Sequence, residues 1–136
     1  MTRFWITLDQ GVEFVLQSFA RTVGGEVFVP KIPSSRITDL AEAMAPGLPR
    51  RNVGIRPGEK LHEVMVPRDD ARLTLEFARH YVIQPAITFY EHPAYGVDAL
   101  GEKGRPVDPE FEYSSGENPE MLDVAALRAL LERLGL

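Results

Sequence analysis

Proline and glycine set the strongest limit on how this chain can fold. Gly24-Gly25, Pro30, Pro33, Pro46-Gly47, Pro57-Gly58 and Pro67 interrupt its first half at short intervals. Proline lacks the amide hydrogen that a helix interior or a ladder needs, and glycine favours turns. Each element between two such marks must therefore be short. The pattern predicts an α+β chain of three or four helices with short strands.

The elements can be read one by one. Thr7-Leu8-Asp9-Gln10 is a capping-box pattern, and Val12, Val15, Leu16 and Phe19 follow at helical spacing. This predicts a helix over Leu8–Arg21, stopped by Gly24-Gly25. Glu26–Val29 reads as a strand closed by Pro30. A second helix, capped by Thr38 or Ser35, would face Leu40, Ala41 and Met44 inward and end at Pro46-Gly47. Arg51–Ile55 reads as a further strand, followed by a short helix with Leu61, Val64 and Met65 inward. Leu73–Phe77 and Tyr81–Gln84 alternate as strands of a hairpin around Ala78-Arg79-His80. Between Pro85 and Met121 only Ile87–Tyr90 looks like a strand, and a segment this long suggests an arm. Asp123 caps a last helix, whose stripe is Val124, Leu127, Leu130, Leu131 and Leu134.

Composition narrows the function. The 136 residues are 44% apolar and 26% charged, enough for one domain or part of one. A net charge of −5 without a basic run argues against nucleic acid and anionic membrane as partners. The absence of cysteine excludes disulfides, thiol catalysis and zinc–thiolate sites. A cytoplasmic location is the simplest reading. The first residues lack the apolar core and small-residue cleavage site of a signal peptide. No apolar run approaches the ~20 residues that span a bilayer.

Two polar stretches carry chemistry. Arg56-Pro57-Gly58-Glu59 places a cation and a carboxylate at what reads as the mouth of a helix, where unpaired amides favour anions. Arg56 can grip phosphate oxygens, and Glu59 can accept hydrogen bonds from vicinal hydroxyls. The same four residues also suit a surface loop with an Arg56–Glu59 ion pair, worth ~1 kcal/mol at most. Arg3, beside Phe4, Trp5 and Ile6, is either an interfacial residue or a phosphate ligand. The three histidines, His62, His80 and His92, lack metal spacing. No serine sits in a nucleophile-elbow pattern. The chain has no Gly-x-Gly-x-x-Gly loop, no Walker loop and no Tyr-x-x-x-Lys pair.

Several segments together resemble one family. Thr2–Ile6, Gly25–Ser34, Ile37–Ala41, Gly54–Glu63 and Phe111–Ser115 are similar to the C-terminal part of the inverting UDP-N-acetylglucosamine 4,6-dehydratases, which are extended short-chain dehydrogenases. The resemblance covers essentially the whole chain. It implies removal of water from UDP-GlcNAc with inversion at C5, on a tightly held NADP, toward surface glycans of the pseudaminic acid type. Arg3 and Arg56 would bind the UDP pyrophosphate, and Glu59 the uridine ribose. Residues 1–84 would form the sugar-nucleotide-binding region, and residues 85–136 an arm and closing helix of the same domain.

The resemblance also implies what is missing. The family's Rossmann half, with its NADP loop and its Tyr-x-x-x-Lys pair, has no counterpart in these residues. The expectation is a shortened reading frame, a split enzyme or an excised piece, with no cofactor bound by this chain alone and no catalysis alone. The helix from Leu8 and the strand at Val27 complete the parallel Rossmann sheet of the family. Here they would lack that neighbour and leave an apolar patch exposed. Two other classes remain open. One is a binding module that works with a separately encoded Rossmann partner. The other is an oligomerisation module whose Pro85–Met121 arm wraps a second copy.

Overall fold

The computed structural model describes residues 1–87 and 94–135. In chain order the elements are β1 (Thr2–Phe4), α1 (Leu8–Arg21), β2 (Val27–Pro30), β3 (Ser34–Arg36), α2 (Ile37–Met44), β4 (Val64–Val66), a 3₁₀ helix (Arg68–Leu73), β5 (Thr74–Glu76), β6 (His80–Ile83), β7 (Arg105–Pro106), β8 (Tyr113–Ser114), β9 (Met121–Leu122) and α3 (Val124–Leu134). This is the mixed helix-and-strand class that the punctuation predicts. The elements group into two units, each assembled from separated segments. One comprises Met1–Trp5, Ile32–Glu63 and Ser114–Leu136; the other comprises Ile6–Lys31 and Val64–Tyr113.

In the first unit a three-stranded sheet runs in the order β1-β3-β9. β1 is antiparallel to β3, with Arg3 opposite Ser35, and β3 is parallel to β9, with Ser35 opposite Leu122. Ser34 and Ser35 are fully buried, so each hydroxyl needs a partner. Asn118 Nδ2 donates to Ser34 Oγ at 2.7 Å, and Trp5 Nε1 donates to Ser35 Oγ at 2.7 Å. Helices α2 and α3 pack on each other. Leu127 is wholly buried, and Ala43 turns inward on α2 while Met44 faces solvent. α3 starts at Asp123, whose carboxylate accepts the Ala126 amide at 2.8 Å, and stops at Gly135 with φ 74°.

The second unit carries a sheet in the order β2-β6-β5-β7. β5 and β6 form the expected hairpin, with Leu75 opposite Val82 and Glu76 opposite Tyr81. Leu75, Phe77 and Val82 form its core, with Phe28 and Tyr95 against them. A methyl group on Gly104 would come within 2.5 Å of the Phe77 ring, so glycine is what lets the chain pass there. α1 covers its expected range. Gln10 N donates to Thr7 Oγ1 at 3.2 Å, and Thr7 N donates to Gln10 Oε1 at 3.0 Å. Its apolar stripe is uncovered, with Leu8 83%, Leu16 64% and Phe19 74% exposed.

Three expectations are corrected. Arg51–Ile55 is not a strand, because Asn52 Oδ1 accepts the Gly54 amide at 2.9 Å and Gly54 takes φ 82°, which turns the chain. No helix follows the Arg56 loop. Leu61 is 57% exposed, and Val64–Val66 is the strand β4. Neither Ser35 nor Thr38 caps α2; Arg36 holds the N-cap position without a side-chain bond. β2 pairs with β6 antiparallel, Phe28 opposite Val82, and ends the described sheet, with Val27 57% exposed. The strand expected at Ile87–Tyr90 falls mostly outside the described residues, as does His92.

Candidate functional site

The two polar stretches belong to the first unit. Pro57-Gly58 allows the chain to reverse, with Gly58 at φ 85°. Glu59 closes the loop in two ways. Its amide donates to Arg56 O at 3.0 Å, and its Oε2 accepts the Arg56 amide at 2.9 Å. The structure thus joins Arg56 and Glu59, but through the Arg56 backbone rather than by an ion pair. Among the described residues nothing pairs with the Arg56 guanidinium, and both residues are exposed. Because no helix starts here, unpaired helix amides add nothing to this loop.

Arg3 is held to the segment that follows. Its Nη1 donates to Thr2 O at 2.6 Å, its Nη2 donates to Lys60 O at 3.0 Å, and its Nε lies 3.4 Å from Glu63 Oε1. A guanidinium has five N–H groups, so two remain for a ligand. Arg3 is therefore partly a structural tie, which its sequence context left open. The Thr2 amide also donates to Leu61 O at 2.8 Å, so β1 fixes residues 60–61, directly after the Arg56–Glu59 turn.

A cluster that sequence reasoning missed stands behind this tie. Thr2 Oγ1 lies 2.8 Å from His62 Nδ1 and 2.7 Å from Ser115 Oγ. The Glu63 amide donates to Ser115 Oγ at 2.8 Å, and the Ser115 amide donates to Glu63 O at 2.8 Å. Positions 2, 62 and 115 share no spacing, so no motif could have joined them. The only signal was that each adjoins a stretch already singled out.

Polar groups in the second unit are structural. Arg21 Nη1 lies 2.5 Å from both Asp98 and Glu102, and these contacts, Asp98 first, hold its pKa above the ordinary value. Burial pushes the Asp98 carboxyl up, but hydrogen bonds from the Glu102 amide, Arg21 and the Leu100 amide outweigh it and leave it lowered. Lys31 and Arg105 both bind Glu76 and lower its pKa.

The described residues do not fit NADP. α1 follows Ile6-Thr7 without a glycine turn, and the capping box meets the Gln10 amide of its first turn. Tyr81 and Lys31 do meet, but the Lys31 ammonium lies 4.9 Å over the ring face and donates to Glu76 and to Phe77 O. Burial, with Glu76 adding to it, pushes the Tyr81 hydroxyl up to about 12, the reverse of an activated tyrosine. Among the described residues there is also no group of acidic and histidine side chains that could hold a metal. No helix among them is long and apolar enough to cross a membrane.

Residues 1–85 match the family described as polysaccharide biosynthesis protein, and the chain belongs to that family. Among its relatives is the UDP-N-acetylglucosamine 4,6-dehydratase (inverting) of Campylobacter jejuni serotype O:2. The two are 55% identical over 120 residues, which cover 88% of this chain and 36% of the relative. The protein of the same name from serotype O:23/36 is 51% identical over 131 residues, covering 91% and 39%. The crystal structure of Pen from Bacillus thuringiensis superposes with a TM-score of 0.75 at 25% identity, over 99% of this chain and 39% of that one. The chain thus spans 36–39% of the length of these relatives.

Proposed function

We propose that this chain is the C-terminal, UDP-sugar-binding portion of an inverting UDP-N-acetylglucosamine 4,6-dehydratase acting in the cytoplasm on surface-polysaccharide precursors. Residues 1–84 form the sugar-nucleotide region, and residues 85–136 complete it as an arm and closing helix. Arg56 binds the diphosphate, Arg3 adds its two remaining N–H groups, and Glu59 accepts the ribose hydroxyls with the oxygen that the turn does not use. The observation that carries this reading is the Arg56–Glu59 turn, closed through the Arg56 backbone, so that the guanidinium stays exposed and has no partner among the described residues. The relatives named for this reaction support it. Alone the chain does not dehydrate, because the hydride chemistry belongs to NADP, which a Rossmann partner must supply.

Calorimetry with UDP or UDP-GlcNAc tests the assignment. Each charge-assisted bond is worth ~1.5–3 kcal/mol. Arg56→Ala should therefore weaken binding by about ten- to hundredfold, and Glu59→Ala should weaken it through both the ribose and the turn. Equal affinities for the wild type and both variants refute the roles given to these residues. A second reading, that the chain is an association module, draws support from the uncovered face of α1.

A further inference from the structure

We propose that His62 is a further ligand-contacting residue of this site. It is a neutral imidazole that offers Nε2–H to a phosphate oxygen of a nucleoside diphosphate, and Thr2 and Ser115 are positioning residues that hold its tautomer. This rests on the sugar-nucleotide reading above.

The tautomer follows from counting hydrogens. Ser115 is fully buried, and its Oγ has two polar neighbours, the Glu63 amide at 2.8 Å and Thr2 Oγ1 at 2.7 Å. An amide can only donate, so Ser115 Oγ accepts from Glu63. The Ser115 hydrogen then has one acceptor among the described residues, Thr2 Oγ1. Thr2 receives it and sends its own hydrogen to His62 Nδ1, 2.8 Å away. A ring nitrogen that accepts carries no proton, so the proton of the neutral ring sits on Nε2. Were Nδ1 to donate instead, Thr2 Oγ1 would accept twice, and the hydrogen of the buried Thr2 hydroxyl would have no acceptor among the described residues. The amide at the head of the chain removes the ambiguity that hydroxyl and imidazole hydrogens otherwise have.

Position is held as firmly as tautomer. A methyl group on Gly116 would fall 2.7 Å from His62 Nδ1 and 2.8 Å from its Cγ, so the ring lies flush on the Gly116 backbone. Yet His62 is an exposed residue, and its Nε2 has no hydrogen-bond partner among the described residues. The ring closes the segment that carries Arg56 and Lys60, the same segment that Arg3 grips. A fixed neutral donor on the segment that carries these cations suits an acceptor-rich anion. It adds a directed bond without adding charge.

The test combines long-range ¹H–¹⁵N NMR of the histidine rings with calorimetry, using UDP as the probe on the full chain. The expected spectrum shows a protonated Nε2 and an unprotonated Nδ1 on His62, with the Nε2–H signal moving as UDP is added. Thr2→Val should give both tautomers, and Thr2→Ser should restore one, a readout that mere loss of packing does not produce. His62→Ala should weaken UDP about tenfold or more, while His62→Gln, which keeps an N–H donor near the same place, should recover most of the affinity. A wild-type ring protonated on Nδ1 overturns the relay. Unchanged affinity in His62→Ala, with Arg56→Ala still defective, overturns the contact and leaves the sugar-nucleotide reading standing. No UDP binding by the wild type overturns both readings.

Discussion

His80 is a ring kept neutral by its surroundings. It is 3% exposed, stacks on Phe77 at 4.7 Å and tilts against Phe28 at 5.5 Å. Its Nε2 has no hydrogen-bond partner among the described residues. Burial lowers its pKa, and Arg21 and Lys31 add to this while Glu102 and Asp98 oppose it. A folded-state pKa below the unfolded one means that the unfolded chain takes up more protons. Stability is then fully present above about pH 6.5 and falls as pH drops through that value toward the folded-state pKa. Glu76 and Asp98, both lowered, act in the same direction at more acid pH. Thermal melts from pH 7.5 to 5 should show a falling midpoint for the wild type. His80→Phe gives up no Nε2 bond and should flatten that slope; an equally steep slope in the variant would acquit His80. At this scale the sequence showed Arg3, Arg56 and Glu59 as candidates, because each sits in a recognisable local pattern. It did not show the Thr2, His62 and Ser115 cluster, because only folding brings those positions within hydrogen-bond reach.

Among the elements, those with a chemical start signal were legible. Thr7 and Asp123 each cap a helix as their sequences announce, and the β5–β6 hairpin follows from its alternation. β3, β7, β8 and β9 were missed. Each has two or three residues, too few for a period to show, and β3 is Ser-Ser-Arg, which carries no apolar signal. The expected strand at Arg51–Ile55 failed for a different reason, since the Asn52–Gly54 turn overrides a short apolar alternation. α1 rests heavily on its cap because no residue of it is buried. Thr7→Ala should cost ~1 kcal/mol, read as a lower denaturation midpoint and weaker helical dichroism, and Thr7→Ser should restore both. An unchanged midpoint would mean that tertiary contacts, not the cap, hold the helix.

For the molecule as a whole, the uncovered stripe of α1 is the feature from which behaviour in solution is predicted. Leu8, Val12, Val15, Leu16 and Phe19 lie on one helical face, and each is exposed. Contiguous apolar surface of this kind drives association. Sedimentation should therefore show concentration-dependent self-association, independent of UDP, which Leu16→Glu with Phe19→Glu abolishes. A strictly monomeric wild type at high concentration would contradict this. The interleaved build has a consequence of another sort. The chain passes from one unit to the other between Trp5 and Ile6, Lys31 and Ile32, Glu63 and Val64, and Tyr113 and Ser114. A protease cut after Lys31 or after Glu63 divides both units between its two peptides. Two gene halves divided after Glu63 would each encode part of both units, so neither half could mature before meeting the other.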